Sequence, residues 1–299
     1  MSKVLAIGNF DGVHRGHRAI LDAAREIAKT GQVTAVTFWP HPTSILRPNQ
    51  TPALLCRISE RVSLLKAAGA DEVSIVEFTS TLAATSPEEF VDSVLCSLNP
   101  TSVVVGQNFR FGAGAKADGY QMRAIAQGRF DVTVLPLLAD EGRVSSSRIR
   151  TALVRGQVES AANMLGRWFR YRGIVVLGDQ RGRSLGFPTA NVMIPTEYAC
   201  PADGVYAGYL SCGGTTWPAA ISVGTNPTFD GSQRHVEAYA LDRADLNLYG
   251  ETVGVDFVAR LRGQMKFASK KDLVHQMRMD VVSTREALKD NPPNADRAS

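Results

Sequence analysis

Val4-Leu5-Ala6-Ile7-Gly8-Asn9-Phe10-Asp11-Gly12-Val13-His14-Arg15-Gly16-His17 opens the chain with an apolar run, a glycine turn and two histidines three apart. Val4–Ile7 reads as a buried strand. From Gly16 to Thr30, residues Ile20, Leu21, Ala24, Ile27 and Ala28 recur on one helical face. The turn therefore carries a strand into a helix. Glycines at 8, 12 and 16 let backbone come close to a ligand. A helix N-terminus offers unpaired N–H groups and the positive end of a dipole, which together make an anion site. Two imidazoles there suit a phosphate whose negative charge grows in a transition state.

The same alternation repeats outward from this segment. Apolar runs at Val33–Phe38, Val73–Val76, Ser102–Val105 and Val132–Leu135 are separated by helical spacings at Arg57–Ala68 and Pro87–Leu98. Ser86 is the expected N-cap of the latter helix, with Pro87 at its first position. Strand–helix alternation of this pitch predicts an α/β domain, a Rossmann-like parallel sheet with helices on both faces. Chemistry is then expected in the loops that leave the carboxyl ends of the strands.

After Trp168 the text changes to strand and turn. Val175–Leu177, Val205–Leu210, Trp217–Val223, Val236–Leu241 and Thr252–Leu261 are short β-prone runs, closed by one helix over Ser269–Lys289. They predict a small antiparallel β-barrel with a terminal helix. Ser147–Leu165 reads as a helical connector, and Asp290–Ser299 as a frayed polar end. A chain of 299 residues fits two domains, placed at 1–160 and 161–299.

Charge excludes several classes. Residues 1–160 hold 17 Lys+Arg against 15 Asp+Glu and the remainder 16 against 14, so neither part has the basic surplus of a nucleic-acid binder. Apolar stretches such as Val132–Ala139 fall far short of the roughly 20 residues a membrane helix needs. Lys3–Ile7 reads as a strand and not a signal peptide. Cys56, Cys96, Cys200 and Cys212 have no metal-ligand spacing, so reduced thiols in a cytoplasmic protein are expected.

Two further segments carry chemistry. Val144-Ser145-Ser146-Ser147-Arg148-Ile149-Arg150 opens a helix after the fifth apolar strand. Alone it is an N-cap; opposite the histidine turn it reads as a second phosphate cradle. Gly178-Asp179-Gln180-Arg181-Gly182-Arg183-Ser184-Leu185-Gly186-Phe187-Pro188-Thr189-Ala190-Asn191 is glycine-rich but not a Walker A loop, since Arg183 stands where that motif has Lys. On a strand, Thr189 and Asn191 would share a face, and their oxygens suit a Mg²⁺ that keeps waters and binds substrate phosphates. Glu237 and Tyr239 share a face of Val236–Tyr239, where a lone Glu is ordinarily a solvated edge residue.

The histidine turn and the serine segment resemble the nucleotidylyltransferase superfamily. Gly8–His17, Thr37-Phe38-Trp39-Pro40-His41-Pro42, Val105–Gly112 and Gly186–Asn191 together resemble the bacterial bifunctional riboflavin kinase/FMN adenylyltransferases, over nearly the whole chain. The resemblance implies phosphorylation of riboflavin to FMN by ATP, then adenylylation of FMN to FAD. It implies catalytic roles for His14, His17, Arg150 and Glu237, the last as general base. ATP and phosphate contacts fall at Gly8, Phe10, Gly12, Ser145, Ser146, Gly182, Arg183, Gly186 and Thr189. Flavin contacts fall at Asn108 and Pro188, and Mg²⁺ ligands at Thr189 and Asn191. Gly204–Ala207 and Asn226–Phe229 are further family strings that shape the pocket. The expected partners are riboflavin, FMN and ATP, with no nucleic acid and no membrane; oligomeric state is left open. Trp39, Tyr239 and Arg243 depart from the usual Glu, His and Phe. A different nucleotidyltransferase with an unrelated β-domain would lack the Gly186–Asn191 string, and a mere flavin binder would have no use for the base or the metal ligands.

Overall fold

The computed structural model describes residues 2–136, 144–178, 182, 185–225 and 234–294. They form two compact units, Met1–Ser146 and Ser147–Ser299.

In the first unit, β1 (Lys3–Ile7), β2 (Gln32–Trp39), β3 (Glu72–Glu77) and β4 (Ser102–Gly106) follow the apolar runs read above. A two-residue ladder, β5 (Arg110–Phe111) with β6 (Ala117–Asp118), precedes β7 (Asp131–Leu135). The sheet runs β3-β2-β1-β4-β7 and every pairing is parallel. Its central strands β1, β2 and β4 are apolar on both faces because both are covered. Leu5, Ile7, Val103 and Val105 pack with Phe90, Leu95 and Met122 on one side. Val4, Ala6 and Val104 pack with Ile20, Leu21 and Leu65 on the other. Strand order reverses between β1 and β4, so their carboxyl ends open the crevice where such sheets bind ligands.

The first helix spans Arg15–Ala28, two residues short of the expected end, because Lys29 adopts φ 53°. The expected Arg57–Ala68 helix spans Ile58–Ala67. Ser86 caps the next helix in a reciprocal pair with Glu89, as expected. The uniform helix expected over Pro87–Leu98 is corrected: Pro87–Phe90 is α, Val91–Leu95 is π and Cys96–Leu98 is 3-10. No glycine or proline within Glu88–Leu98 announces that change. The expected single connector is two helices, Ser146–Val154 and Val158–Leu165. Gly156, at φ 73°, supplies the left-handed residue that ends the first of them.

The second unit is a closed six-stranded antiparallel barrel of β8 (Phe169–Val176), β9 (Ala190–Ile194), β10 (Gly204–Cys212), β11 (Thr215–Thr225), β12 (Arg234–Ala240) and β13 (Thr252–Arg262). The run read at Val175–Leu177 is only the end of β8. Its first half alternates buried Phe169 and Tyr171 with Arg170 and Arg172, which hides it from a search for apolar runs. The terminal helix is Lys270–Leu288, with Ser269 accepting from the Asp272 amide. The frayed end expected from Asp290 is corrected for 290–294. The Tyr209 hydroxyl donates to the Asn291 carbonyl, the Trp168 amide donates to Asn294 Oδ1, and Asn294 Nδ2 donates to Asp256. Asp256 is itself held by Arg170 through two bonds of 2.7 Å, so that buried ion pair is fully engaged. Among the described residues no helix is long and apolar enough to cross a membrane.

Candidate active sites

The first site is the turn between β1 and the helix Arg15–Ala28. Phe10, Gly12 and Val13 have φ of 51°, 82° and 40°, an unusual density of left-handed backbone. For the β-branched Val13 that conformation is strained, a feature that concentrates at functional sites. His14 is the N-cap: its Nδ1 accepts from the His17 amide at 3.2 Å. The His14 and His17 rings stack with centroids 3.5 Å apart, and Phe10 meets His17 edge-on at 5.2 Å. His14 is only 6% exposed.

Surrounding segments brace this turn. Ser146 Oγ donates to the Asp11 carbonyl at 2.9 Å, which brings the serine segment onto the histidine turn as expected. Thr37 Oγ1 donates to the Asn9 carbonyl at 2.9 Å. The Gly12 amide donates to Cys56 Sγ at 3.3 Å. Burial, followed by the nearby Asp11, pushes the Cys56 thiol up to about 12, so it stays protonated and inert. Asn108 lies two residues beyond β4; its Oδ1 would be 3.1 Å from a Cβ built on Gly106. Gly8 and Asn108 thus leave the carboxyl ends of adjacent strands.

The second site lies on the barrel. Glu237 of β12 is directly opposite Asn191 of β9, and the Thr189 hydroxyl donates to Glu237 Oε2 at 3.4 Å. Val236, Ala238 and Ala240 turn inward while Glu237 and Tyr239 turn away, as the alternation requires. Asn191 is 9% exposed, and a Cβ on Gly178 would come within 2.4 Å of its amide, so only glycine permits that approach. Leu185 and Phe187 amides both donate to the Gly182 carbonyl, closing a turn ahead of Pro188. Beside these residues lies a cavity of about 440 Å³ lined by Pro188, Thr189, Asn191, Ala238, Ala240 and the Arg243–Tyr249 segment. Arg243 pairs with Asp245 at 2.7 and 2.8 Å and stacks 5.6 Å over Trp217. The hydrogen bond from Arg243 holds the Asp245 carboxyl down to about 2. Tyr239 meets Phe187 edge-on at 5.2 Å.

Residues 1–148 match the FAD synthetase family and residues 165–288 the riboflavin kinase family. The bifunctional riboflavin kinase/FMN adenylyltransferase of Listeria monocytogenes is 34% identical over 95% of this chain and 92% of its own length. That of Escherichia coli is 36% identical, over 95% and 92%. The chain belongs to the bifunctional riboflavin kinase/FMN adenylyltransferase family. A solved structure described as a macrolide-efflux protein from Streptococcus pneumoniae is 32% identical with a TM-score of 0.87, covering 95% of this chain and 93% of that one. That likeness bears on the fold.

In this family member, the structure brings Gly8, Phe10, Gly12, His14, His17 and Ser146 around one turn, with Ser145 next in sequence. Pro188, Thr189, Asn191 and Glu237 gather on the barrel, with Gly182 and Gly186 in the turn before them. Arg150 stands one helical turn after Ser146, within the second compact unit. Arg183 and Asn226–Phe229 lie outside the described residues. Sequence reasoning missed Arg61, which the structure buries completely. A signal was present: Ile58, Arg61, Leu65 and Ala68 fall on one helical stripe, and a charge within an apolar stripe asks for a partner.

Proposed function

We propose that the two activities of the family are divided between two sites, adenylyl transfer in the domain at 1–160 and riboflavin phosphorylation in that at 161–299. Glu237 takes the proton of the riboflavin 5′-hydroxyl as its oxygen attacks the γ-phosphate of ATP, leaving FMN and ADP. Thr189 and Asn191 are the residues that would hold Mg²⁺. Their oxygen donors beside one carboxylate fit a cation that draws its other ligands from water and phosphate. When bound, the ion neutralises charge on the ATP phosphates. Gly182, Arg183 and Gly186 cover those phosphates, and Pro188 borders the flavin at the cavity.

At the other site the FMN phosphate attacks the α-phosphate of a second ATP in line, and pyrophosphate leaves. His14 and His17 stabilise the charge added in the transition state. Gly8, Phe10 and Gly12 receive the nucleotide, and Asn108 the flavin. Ser145, Ser146 and Arg150 hold the departing phosphates, Arg150 following Ser146 by one helical turn. FMN phosphate is already an ionised nucleophile, so this step needs positioning and electrostatics and no covalent enzyme intermediate. Four free cysteines support a place in the cytoplasm.

The observation that carries the reading is the meeting of Glu237 with Thr189 and Asn191, which themselves line the cavity, in a chain whose other unit holds the histidine turn. Incubation with riboflavin, ATP and Mg²⁺, followed by chromatography of the flavins, yields both FMN and FAD. Recovery of riboflavin alone would overturn it.

The metal assignment has its own test. Asn191→Ala is expected to lower riboflavin phosphorylation about 10²-fold, the scale of losing one group that stabilises developing charge. FMN-to-FAD conversion stays within twofold. A variant with the parent rate and the same Mg²⁺ dependence removes Asn191 from the site.

A further inference from the structure

Arg61 has no exposed surface, and Asp11 is 1% exposed. A buried guanidinium is costly, and methionine would fill the same stripe of the helix Ile58–Ala67 without that cost. The contacts of Arg61 show what the charge holds. Its Nη1 donates to Thr37 Oγ1 and to the Phe38 carbonyl, both at 3.2 Å. Its Nη2 lies 3.7 Å from Asp11 Oδ1. Thr37 in turn donates to the Asn9 carbonyl, so Arg61 reaches the residues on both sides of Phe10. The Asp11 carboxylate also accepts from the Leu55 amide at 3.0 and 3.2 Å, and the Asp11 carbonyl receives Ser146 Oγ. These bonds grip the turn where three of four residues have positive φ, and from which His14 and His17 project.

We propose that Arg61 is a positioning residue for adenylyl transfer: through Asp11 and Thr37 it fixes the strained turn that sets His14, His17 and Ser146 around the reacting phosphates. It touches no substrate, being wholly enclosed. Its Nη1 meets two acceptors on β2 while its Nη2 faces the Asp11 carboxylate in the turn, a span that the planar guanidinium provides and a point charge does not. The wide 3.7 Å ion pair and the 5.9 Å approach to the Trp39 ring leave its orientation to the two neutral acceptors on β2. Small displacements of a catalytic constellation cost on the order of 10²-fold in rate, which sets the expected scale.

The inference rests on the adenylyl-transfer reading above, so the parent protein is assayed beside every variant. A parent that makes no FAD from FMN and ATP sinks the reading; a parent that does, with variants that match it, sinks only the role of Arg61. Arg61→Met is expected to lower kcat for FAD formation about 10²-fold, with KM for ATP and FMN within threefold. Riboflavin phosphorylation, measured on the same sample, is unchanged. Arg61→Lys keeps the charge but loses the fork, and is expected to lose about tenfold at the parent melting temperature. The double variant Asp11→Asn/Arg61→Met removes both buried charges, so its melting temperature recovers relative to Arg61→Met while its kcat does not. A purely structural role predicts that stability and rate recover together, and that outcome overturns the proposal. Should Arg61→Met fail to fold, Arg61→Lys decides: a parent rate overturns the proposal, and a fivefold or larger loss in a protein of parent stability upholds it.

Discussion

His14→Ala is expected to stop FAD formation while FMN still accumulates from riboflavin and ATP. Adding FMN directly does not restore it. Removing one preorganised group that faces developing charge costs about 10² to 10³-fold in kcat, which is about 3–4 kcal/mol of transition-state stabilisation. The residue has a second job, because its Nδ1 caps the helix Arg15–Ala28 by accepting from the His17 amide. Loss of that cap alone costs about 1 kcal/mol of stability. The two jobs separate in His14→Asn, since Asn caps as well as any residue but presents no Nε2 to a phosphate. Steady-state rates of FAD formation and thermal unfolding, measured on both variants, give the test. The expected result is parent-like stability in His14→Asn with the rate still lost. Recovery of the rate with the cap would reduce His14 to a structural residue. His17→Ala removes the ring stacked at 3.5 Å on His14 and is expected to lose a similar factor, again with phosphorylation intact. Equal loss of both activities in a folded variant would refute two independent sites.

Much of this architecture was legible because the central sheet strands are buried on both faces and therefore read as unbroken apolar runs. Val4–Ile7 and Ser102–Val105 were located to within a residue for that reason. Barrel strands are harder, since one face is polar. β8 hides behind the arginines of Phe169–Gly173, and β9 starts within a motif that draws attention to chemistry before backbone. The histidine turn was legible as local sequence, because a strand, a glycine turn and a helix start are all short-range. Arg61 was not, because its partners Asp11, Thr37 and Phe38 come from distant segments, and only the fold shows that one guanidinium meets all three. The clasp of Asn291 and Asn294 escaped likewise: a polar segment with two prolines has the composition of a loose end, and the bonds that tie it to Tyr209, Trp168 and Asp256 are long-range.

The cavity beside Thr189 shows the same division between local and long-range information. The motif Gly186–Asn191 was readable, but the wall formed by Arg243–Tyr249 became visible only once β12 and its following segment closed the barrel. Arg243, where the sequence reading expects Phe, is not loose beside that cavity. Asp245 and Trp217 hold it in place, so the substitution comes with its own supports.

Glu237→Gln is expected to lower the rate of riboflavin phosphorylation by about 10² to 10⁴-fold, the range a general base contributes. At about 1.36 kcal/mol per tenfold, that is about 3–5 kcal/mol of transition-state stabilisation. Glutamine keeps the length of the side chain and can still accept the Thr189 hydroxyl, so the 3.4 Å contact and the cross-strand position opposite Asn191 survive. What it loses is the capacity to take the proton of the attacking hydroxyl. Binding of riboflavin and ATP should therefore change little, and KM with it, while kcat falls. Adenylyl transfer from added FMN proceeds at the parent rate and certifies the rest of the chain. The opposing account is concrete: Glu237 is an exposed residue of a barrel strand, and such residues are ordinarily replaceable at a cost within about 0.5 kcal/mol. Geometry argues against it, because an ordinary exposed glutamate does not face a nearly buried asparagine beside a cavity wall. Phosphorylation within threefold of the parent would nevertheless decide for the exposed-strand account, and the base would then have to be a group other than Glu237.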